Sequence, residues 1–317
     1  MFNPKPIFIT GTSALSFALA ACGGGGGGVA TVPPPPLTQP PRAQAAATTL
    51  PIIDDAPTGV LAVAGASIVE ASDGPLPHFT IDPAKLPSFF YDASSDIYQI
   101  KLPTGGDWET LYSPNPENAV GNRTQAWTDS GVSLNIEAQG TLINSDTEWT
   151  RPYTYSTLVT GFISGFGTTL ALGIPTPASG LPTTGAATFN GVVIGSADYL
   201  VNDGWGDMVL TTVGGTVTLN FDFGTSKLSG SMEPWMYTDF YAPSTADLGV
   251  FTFKDTVYSV GAYSGQFNTS ASGLNGFNGQ LTGPNGQELI GGWALPFHYS
   301  GDGQDHQAFG AWVAKRP

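Results

Sequence analysis

The chain holds few residues that could carry catalytic or metal chemistry. Its three histidines, His78, His298 and His306, are dispersed along 317 residues. His298 and His306 flank a segment that contains Asp302 and Asp305, and two acids beside two imidazoles could coordinate a cation. A solvated turn is the commoner role of such a segment, so the sequence predicts no metal site and no cofactor.

Motifs of the common nucleophilic and metal-dependent enzymes do not occur in the sequence. It contains no G-x-S-x-G nucleophile elbow, no S-x-x-K pair, no H-E-x-x-H zinc motif and no phosphate-binding Walker loop. Without a nucleophile beside a base, hydrolysis and group transfer lack their reacting groups. We therefore predict no catalytic residues and a protein that is not an enzyme; a periplasm-facing enzyme is the least favoured alternative.

An aromatic cluster is the strongest candidate for ligand binding. It comprises Trp235, Tyr237, Phe240 and Tyr241, in a connection between two predicted strands. Trp and Tyr are enriched where proteins bind one another, because each offers a large apolar ring with a polar edge. The same rings could instead pack beneath the connection as core, and the sequence leaves both alternatives open.

The single cysteine, Cys22, ends an apolar N-terminal segment and follows the small residues Ala20 and Ala21. The segment is too short for a membrane-spanning helix and indicates an export signal over residues 1–21. It resembles the bacterial lipobox, which implies that Cys22 becomes the lipidated first residue of the mature protein; the alternative is an ordinary secretory signal. Gly23 lacks the acidic character of an inner-membrane retention signal, which favours the outer membrane.

Composition separates a linker from the folded part. Residues 22–50 contain six consecutive glycines and a run of four prolines, which predicts a disordered tether between the anchor and the fold. Removing the leader takes away Lys5 from 10 bases and leaves 9 against 25 acids, a net charge of −16. This charge disfavours nucleic acid and anionic lipid surfaces as partners. With one cysteine there is no internal disulfide.

Short strands with glycine-rich turns dominate the rest of the sequence. Residues 51–175 show mixed apolar and aromatic runs, which predict an irregular, β-rich, handle-like domain. Residues 176–317 predict eight strands that close into an antiparallel β-barrel; a two-sheet sandwich is the alternative. Gly214-Gly215 is interpreted as a hairpin turn. The eight predicted strands are 183–193, 207–213, 216–223, 227–233, 257–267, 274–281, 288–297 and 307–315.

The last 42 residues carry a series of short motifs. Gly283-Pro284 and Glu288 form a predicted turn, Gly291-Gly292-Trp293 begins the next strand, and Lys315-Arg316 ends the last one. In this order the motifs resemble the C-terminal barrel of the transferrin-binding protein B superfamily of surface lipoproteins. Thr282, where an aromatic residue is usual, and one extra residue after Glu288 depart from the family pattern. We interpret Glu288 as structural rather than ligand-binding, either as an acceptor of backbone N–H groups within that turn or as a solvated carboxylate.

The resemblance implies an all-β fold in which a smaller handle precedes an eight-stranded barrel. It also implies a cell-surface protein, lipid-anchored in the outer membrane of a Gram-negative bacterium, that captures an iron-carrying protein, haem or another solute. An outer-membrane transporter and a dedicated lipoprotein export partner would then be its partners. The alternative is a structural or adhesive surface lipoprotein that binds host or envelope components without delivering cargo.

Overall fold

The computed structural model describes residues 56–70, 78–95, 97–111, 123–137, 153–163, 166–202, 208–239 and 244–317. Nearly all regular structure in these ranges is β-strand, with single-turn 3-10 helices at Pro83–Lys85 and Ala178–Gly180. No helix in this part of the chain is long and apolar enough to cross a membrane. The predicted leader and tether, including Cys22, lie outside the described residues.

The N-terminal half forms one antiparallel sheet, a half-barrel. Its strands are β1 Gly59–Glu70, β2 His78–Thr80, β3 Ser88–Asp92, β4 Ile97–Lys101, β5 Glu109–Thr110, β6 Arg123–Trp127, β7 Ser133–Glu137, β8 Ser156–Ile163 and β9 Phe166–Gly173. The order across the sheet is β5-β4-β3-β1-β9-β8-β7-β6, and β2 pairs with the end of β1. The predicted β-rich region ahead of the barrel is confirmed. The domain boundary at residue 175 stays a prediction.

Eight strands of the C-terminal half close into a ring. The strands of this half are β10 Ala186–Asn202, β11 Met208–Asp222, β12 Lys227–Tyr237, β13 Thr245–Asp247, β14 Phe251–Ser259, β15 Ala262–Phe267, β16 Gly276–Thr282, β17 Glu288–Tyr299 and β18 Gln304–Lys315. The ring order is β11-β10-β18-β17-β16-β15-β14-β12, and β12 closes it by pairing with β11. The short strand β13 adds to the end of β12. The eight-stranded antiparallel barrel is confirmed, and the sandwich alternative is wrong.

The strand count is correct, but two details of the prediction are wrong. The segments on either side of Gly214-Gly215 are one strand, β11, so this pair lies within a strand and is not a hairpin turn. The predicted strand 257–267 is divided between β14 and β15, which a turn at Val260 and Gly261 joins, with φ of 49° and 79°. Two predicted strands are a single strand in the structure and one predicted strand is two, so the number of strands in the ring remains eight.

Gly214 accommodates an aromatic ring rather than a turn. It pairs with Trp235 on β12, and a Cβ atom at position 214 would overlap the Trp235 ring. A ring that lies over a glycine of the neighbouring strand covers backbone that would otherwise face water. A Gly-Gly pair between alternating apolar residues therefore has two structural meanings, and only the partner strand distinguishes them.

Each sheet has its own apolar core. Alternate residues of the half-barrel strands bury one face, with Phe89, Tyr98, Ile100, Leu134 and Leu170 among the fully buried residues. The barrel interior is filled largely by aromatic side chains. They include Phe189, Phe221, Phe253, Phe267, Phe277, Trp293 and Trp312. Several of these rings contact one another; for example, the ring centroids of Phe253 and Phe277 are 4.7 Å apart.

A third apolar cluster joins the two sheets. Outward residues of β10, β17 and β18 pack against β1, β8 and β9. Members of the cluster include Ala62, Ala64, Leu158, Ala171, Val192, Ile290, Ala311 and Val313. Beside it, Gly292 of β17 lies against Gly65 of β1, and a Cβ atom at position 292 would overlap the Gly65 backbone. The second glycine of the Gly-Gly-Trp motif thus allows β17 to approach the half-barrel closely.

Glu288 is a second tie between the sheets. It is 3% exposed, and its two carboxylate oxygens accept the backbone N–H groups of Thr154 and Tyr155 at 2.6 and 2.9 Å. Thr282, which pairs with Glu288 across the β16–β17 turn, shares a 2.7 Å hydroxyl hydrogen bond with Ser156. Glu288 is therefore a structural acceptor of backbone N–H groups, and the alternative of a solvated carboxylate is wrong. Its partners lie in the segment leading into β8 and not in its own turn.

Candidate functional site

Trp235 and Tyr237 stand on the outer face of β12. Alternate residues of this strand point inward, and Met236 between them is fully buried in the barrel core. Trp235 and Tyr237 are partly exposed and make an edge-to-face contact with ring centroids 5.1 Å apart. At these two positions the aromatic side chains lie on the outer surface of the barrel, over its core. Phe240 and Tyr241, the other two predicted ligand-binding residues, lie outside the described residues.

Neighbouring strands hold the aromatic pair in place from both sides. Trp235 covers Gly214 of β11 and is opposite Asp247 of β13. The Thr211 hydroxyl of β11 donates to the Tyr237 carbonyl at 2.6 Å. Because main-chain pairing fixes the backbone of β12 on both sides, little conformational entropy remains for the pair to lose when a ligand binds.

Two carboxylates flank the aromatic pair on the same face. Glu233 is exposed two residues before Trp235 on β12, and Asp247 is exposed opposite Trp235 on β13. We call Glu233, Trp235, Tyr237 and Asp247 the β12 surface. Aromatic faces attract cations and carboxylates pair with them, so this surface suits the Lys and Arg side chains of a protein ligand.

The barrel interior is a packed core that contains a buried polar pair. The Tyr263 hydroxyl donates to the Ile290 carbonyl and accepts the Trp312 indole N–H, both at 2.8 Å. Burial raises the pKa of Tyr263, so the phenol stays protonated. A Cβ atom at Gly291 would overlap the Trp312 nitrogen. The first glycine of the Gly-Gly-Trp motif therefore makes room for core rings, and the motif contributes to architecture rather than to ligand chemistry.

A cleft of about 480 Å³ lies between the two sheets. Its walls are β1 and the turn at Pro83 on one side, and β14, β15 and β16 on the other. The lining residues carry no charge and include Val63, Val257, Ser264, Asn278 and Gln280. The Asn278 amide donates to the Ile81 carbonyl at 2.8 Å. Sequence analysis missed this cleft because its walls come from distant segments that no local pattern connects.

Asp302 of the β17–β18 turn and Asp305 at the start of β18 each face a histidine. His298 Nδ1 lies 3.0 Å from Asp305 Oδ1, and His306 Nε2 lies 2.9 Å from Asp302 Oδ2. His306 also contacts Asp198 of β10, which sequence analysis did not connect with this turn. Within the described ranges, no group of three or more His, Cys, Asp or Glu side chains could hold a metal ion.

Comparison with solved structures gives transferrin-binding proteins B and a surface lipoprotein. The isotype 1 protein of serogroup B Neisseria meningitidis shares 15% identity at a TM-score of 0.42, over 81% of this chain and 43% of that chain. A double mutant of the Haemophilus parasuis Hp5 protein shares 12% identity at a TM-score of 0.38, over 82% and 75%. A structure described only as a surface lipoprotein shares 12% identity at a TM-score of 0.33, over 82% and 98%. No family model matches the chain, and no curated protein matches it significantly.

The chain is similar to transferrin-binding proteins B, the superfamily that its C-terminal motifs resemble. It spans 43% of the length of the Neisseria protein. Such low identities and TM-scores concern the fold alone. The ligand of this protein is therefore to be inferred from its own side chains.

Proposed function

We propose that this protein is a lipid-anchored cell-surface binding protein that captures another protein through the β12 surface. The observation that carries the proposal is the outward pair Trp235 and Tyr237, held on a barrel wall and flanked by Glu233 and Asp247. Rigid aromatic side chains supply contact area at low entropic cost. The flanking carboxylates and the acidic chain favour a basic patch on the ligand.

The packing of the barrel favours a protein ligand over a small solute. Aromatic rings fill the interior, so haem would have to bind outside the barrel wall. A stable protein interface buries about 800 Å² on each partner, and an open sheet face can offer such an area. We therefore propose an iron-carrying protein as the first ligand to test. Haem or another solute is the alternative, with the inter-sheet cleft as its site.

The membrane arrangement follows from the N-terminal sequence. We propose that Cys22 carries the lipid and that residues 22–50 hold the handle, 51–175, and the barrel, 176–317, clear of the outer membrane. A flexible tether of this length has an end-to-end distance of roughly 30 Å. An export partner would place the lipoprotein on the cell surface, and an outer-membrane transporter would receive the cargo. The proposal assigns the protein no catalysis and no resident cofactor.

A structural or adhesive lipoprotein is the second candidate. The observation that favours it is a pair of exposed rings on the other sheet, Trp127 of β6 and Phe162 of β8, 38% and 58% exposed. Both pair with Ser133 of β7, so they stand on one face of the half-barrel. A second apolar surface suits attachment to host or envelope components in which no cargo is transferred.

Capture of iron-loaded carrier proteins and of haem by the purified mature protein tests the first proposal. Trp235→Ala and Tyr237→Ala should each weaken protein capture about tenfold or more, as expected for hot-spot residues. Their thermal unfolding should stay nearly unchanged, because both rings lie outside the core. Leu274→Ala, which removes an apolar side chain that is 46% exposed and belongs to neither surface, is the control and should bind as the wild type does. Unaltered capture by both β12 variants, or a large fall in melting temperature in both, contradicts the proposal.

Location is tested separately by protease treatment of intact cells. Exposure on the surface predicts that the folded part is released or cleaved while periplasmic proteins stay intact. Full protection would place the protein inside the cell envelope.

A further inference from the structure

Two carboxylates hold His306 at the end of the barrel that carries the β17–β18 turn. Its Nδ1 lies 2.9 Å from Oδ1 of Asp198, and its Nε2 lies 2.9 Å from Oδ2 of Asp302. The side chains of His306 and Asp198 are only 12% and 13% exposed. An ionised carboxylate only accepts hydrogen bonds. The ring can therefore make both bonds only when both of its nitrogens carry protons.

The three residues come from separate parts of the barrel. Asp198 lies at a bulge in β10, where the register with β11 shifts, and a bulge re-aims the side chains it contains. Asp302 lies in the β17–β18 turn, and His306 lies in β18. Asp198 Oδ1 also accepts the backbone N–H of Gln307 at 3.0 Å. One charged ring thus ties β10 and β18 to the turn.

Aromatic rings from β10 and β17 surround His306. Phe297 stacks on the imidazole with centroids 5.7 Å apart, and the edges of Tyr199 and Tyr299 approach it at 5.6 and 6.4 Å. Titratable groups face the imidazole from each neighbouring element. They are Asp198 and Tyr199 of β10, Tyr299 of β17, Asp302 of the turn and Asp305 of β18, which hydrogen-bonds His298 and also interacts electrostatically with His306.

We propose that Asp198, His306 and Asp302 form a pH-responsive latch that holds the β17–β18 turn against β10. With the ring charged, the barrel end is closed over Tyr199 and Tyr299. When the ring loses one proton to solvent, one nitrogen presents a lone pair to a carboxylate oxygen, and that contact becomes repulsive. The turn then separates from β10 or from His306. The latch is closed at low pH, where the ring is charged, and opens when rising pH removes one of the two ring protons.

The direction of the pH effect follows from the two states of the chain. Burial lowers the pKa of His306, but the hydrogen bonds to Asp302 and Asp198 and the charges of both acids raise it, and the resulting pKa lies above the ordinary 6.5. Unfolding separates His306 from both acids, and the pKa of the imidazole then returns to its ordinary value. The stabilisation is therefore complete below pH 6.5 and is lost as pH rises through the folded-state pKa.

A titration of the histidine ring protons by NMR, on the mature protein, tests the latch directly. His306 should titrate at a higher pH than the same residue does in the denatured chain. Asp302→Asn should lower its midpoint, because the amide removes one charge that favours the imidazolium. His298→Gln is the control, because His298 is 59% exposed and pairs with Asp305 instead. It should leave the titration of His306 unchanged.

Hydrogen exchange supplies a structural measurement that needs no variant. After correction for intrinsic exchange, protection of the Gln307 amide and of the turn amides should fall about tenfold across the His306 titration, the equivalent of one charge-assisted hydrogen bond. His306→Gln should abolish that step. A His306 midpoint at or below its denatured value, or protection that does not change across the titration, overturns the proposal. Both of these are wild-type measurements, so they stay decisive even where a variant fails to fold.

Discussion

The junction between the sheets and the β12 surface use the same kinds of residue for opposite purposes. At the junction the carboxylate of Glu288 is buried and accepts two backbone N–H groups, and Gly292 lies against another backbone. At the β12 surface Asp247 faces water, and Gly214 lies beneath the partly exposed ring of Trp235. Both regions use an acidic residue and a glycine. What distinguishes the structural junction from the candidate binding surface is how deeply these residues are buried and which groups they contact.

The comparison explains why the recognisable motifs belong to the junction and the core. A Cβ atom at Gly291 would overlap Trp312, a Cβ atom at Gly292 would overlap the Gly65 backbone, and Glu288 supplies two carboxylate oxygens to two backbone N–H groups. Side chains on the β12 surface face open solvent on one side, so several residue types would fit each position. A motif in this chain therefore indicates how the sheets are joined, and ligand preference has to be sought where no motif occurs.

The largest effect is expected from Gly292→Val at the junction. A Cβ atom there overlaps the backbone of Gly65, which cannot move without separating β1 from β17. We expect the free energy of unfolding in urea to fall by about 3 kcal/mol or more, at the upper end for overpacking. Gly59→Val, where no atom lies within 4 Å, is the control and should unfold close to the wild type. An unaltered urea midpoint for Gly292→Val would show that the two sheets do not depend on this contact.

Glu288→Gln should have the next largest effect. The amide group turns one acceptor into a donor that faces a backbone N–H, so one buried hydrogen bond becomes a repulsive contact. We expect a loss of about 1–3 kcal/mol in the free energy of unfolding at pH 7, the usual result of leaving a buried polar group unsatisfied. Glu233→Gln, at an exposed carboxylate of the β12 surface, should change stability much less. Equal losses in the two variants would remove the distinction between junction and surface.

The stability that Glu288 contributes at the junction should depend on pH. Burial raises its pKa, and the N–H groups of Thr154 and Tyr155 offset this only in part. The native state therefore binds the proton more tightly than the unfolded chain does. The corresponding stability is present below the ordinary value of 4.5 and is lost as pH rises through the folded-state pKa. The advantage of wild type over Glu288→Gln in urea unfolding should shrink as pH rises through this interval, and a pH-independent difference would contradict the raised pKa.

Periodicity predicted the elements whose two faces differ in environment. Residues 217–222 of β11 alternate between core and exposed or partly exposed positions, as their sequence indicates. The errors occurred where side chains are missing or misleading. Gly214-Gly215 offers no side chain that reports a face, and Val260 is a β-branched residue that lies in a turn, 84% exposed.

The candidate site could be predicted only in part. Trp235 and Tyr237 stood out by residue type, but their outward direction depends on the register of β12 against β11. Asp198 and His306 lie 108 residues apart, and a bulge in β10 brings them together. Contacts of this kind depend on how strands pair across the ring, and no pattern along one segment contains that information.

Gly214→Ala is expected to have the smallest effect on stability and a selective one on binding. Its methyl group would displace the Trp235 ring from its place over Gly214, and the partly exposed ring can tilt outward into solvent. We expect the free energy of unfolding to change by less than about 1 kcal/mol, as is usual for surface substitutions. Protein capture should nevertheless fall, because the aromatic pair loses its fixed geometry. Gly224→Ala, in the turn that follows β11, should bind normally. If Gly214→Ala captured protein as well as the wild type does, the orientation of Trp235 would be unimportant for binding. That result would contradict the proposed role of the β12 surface.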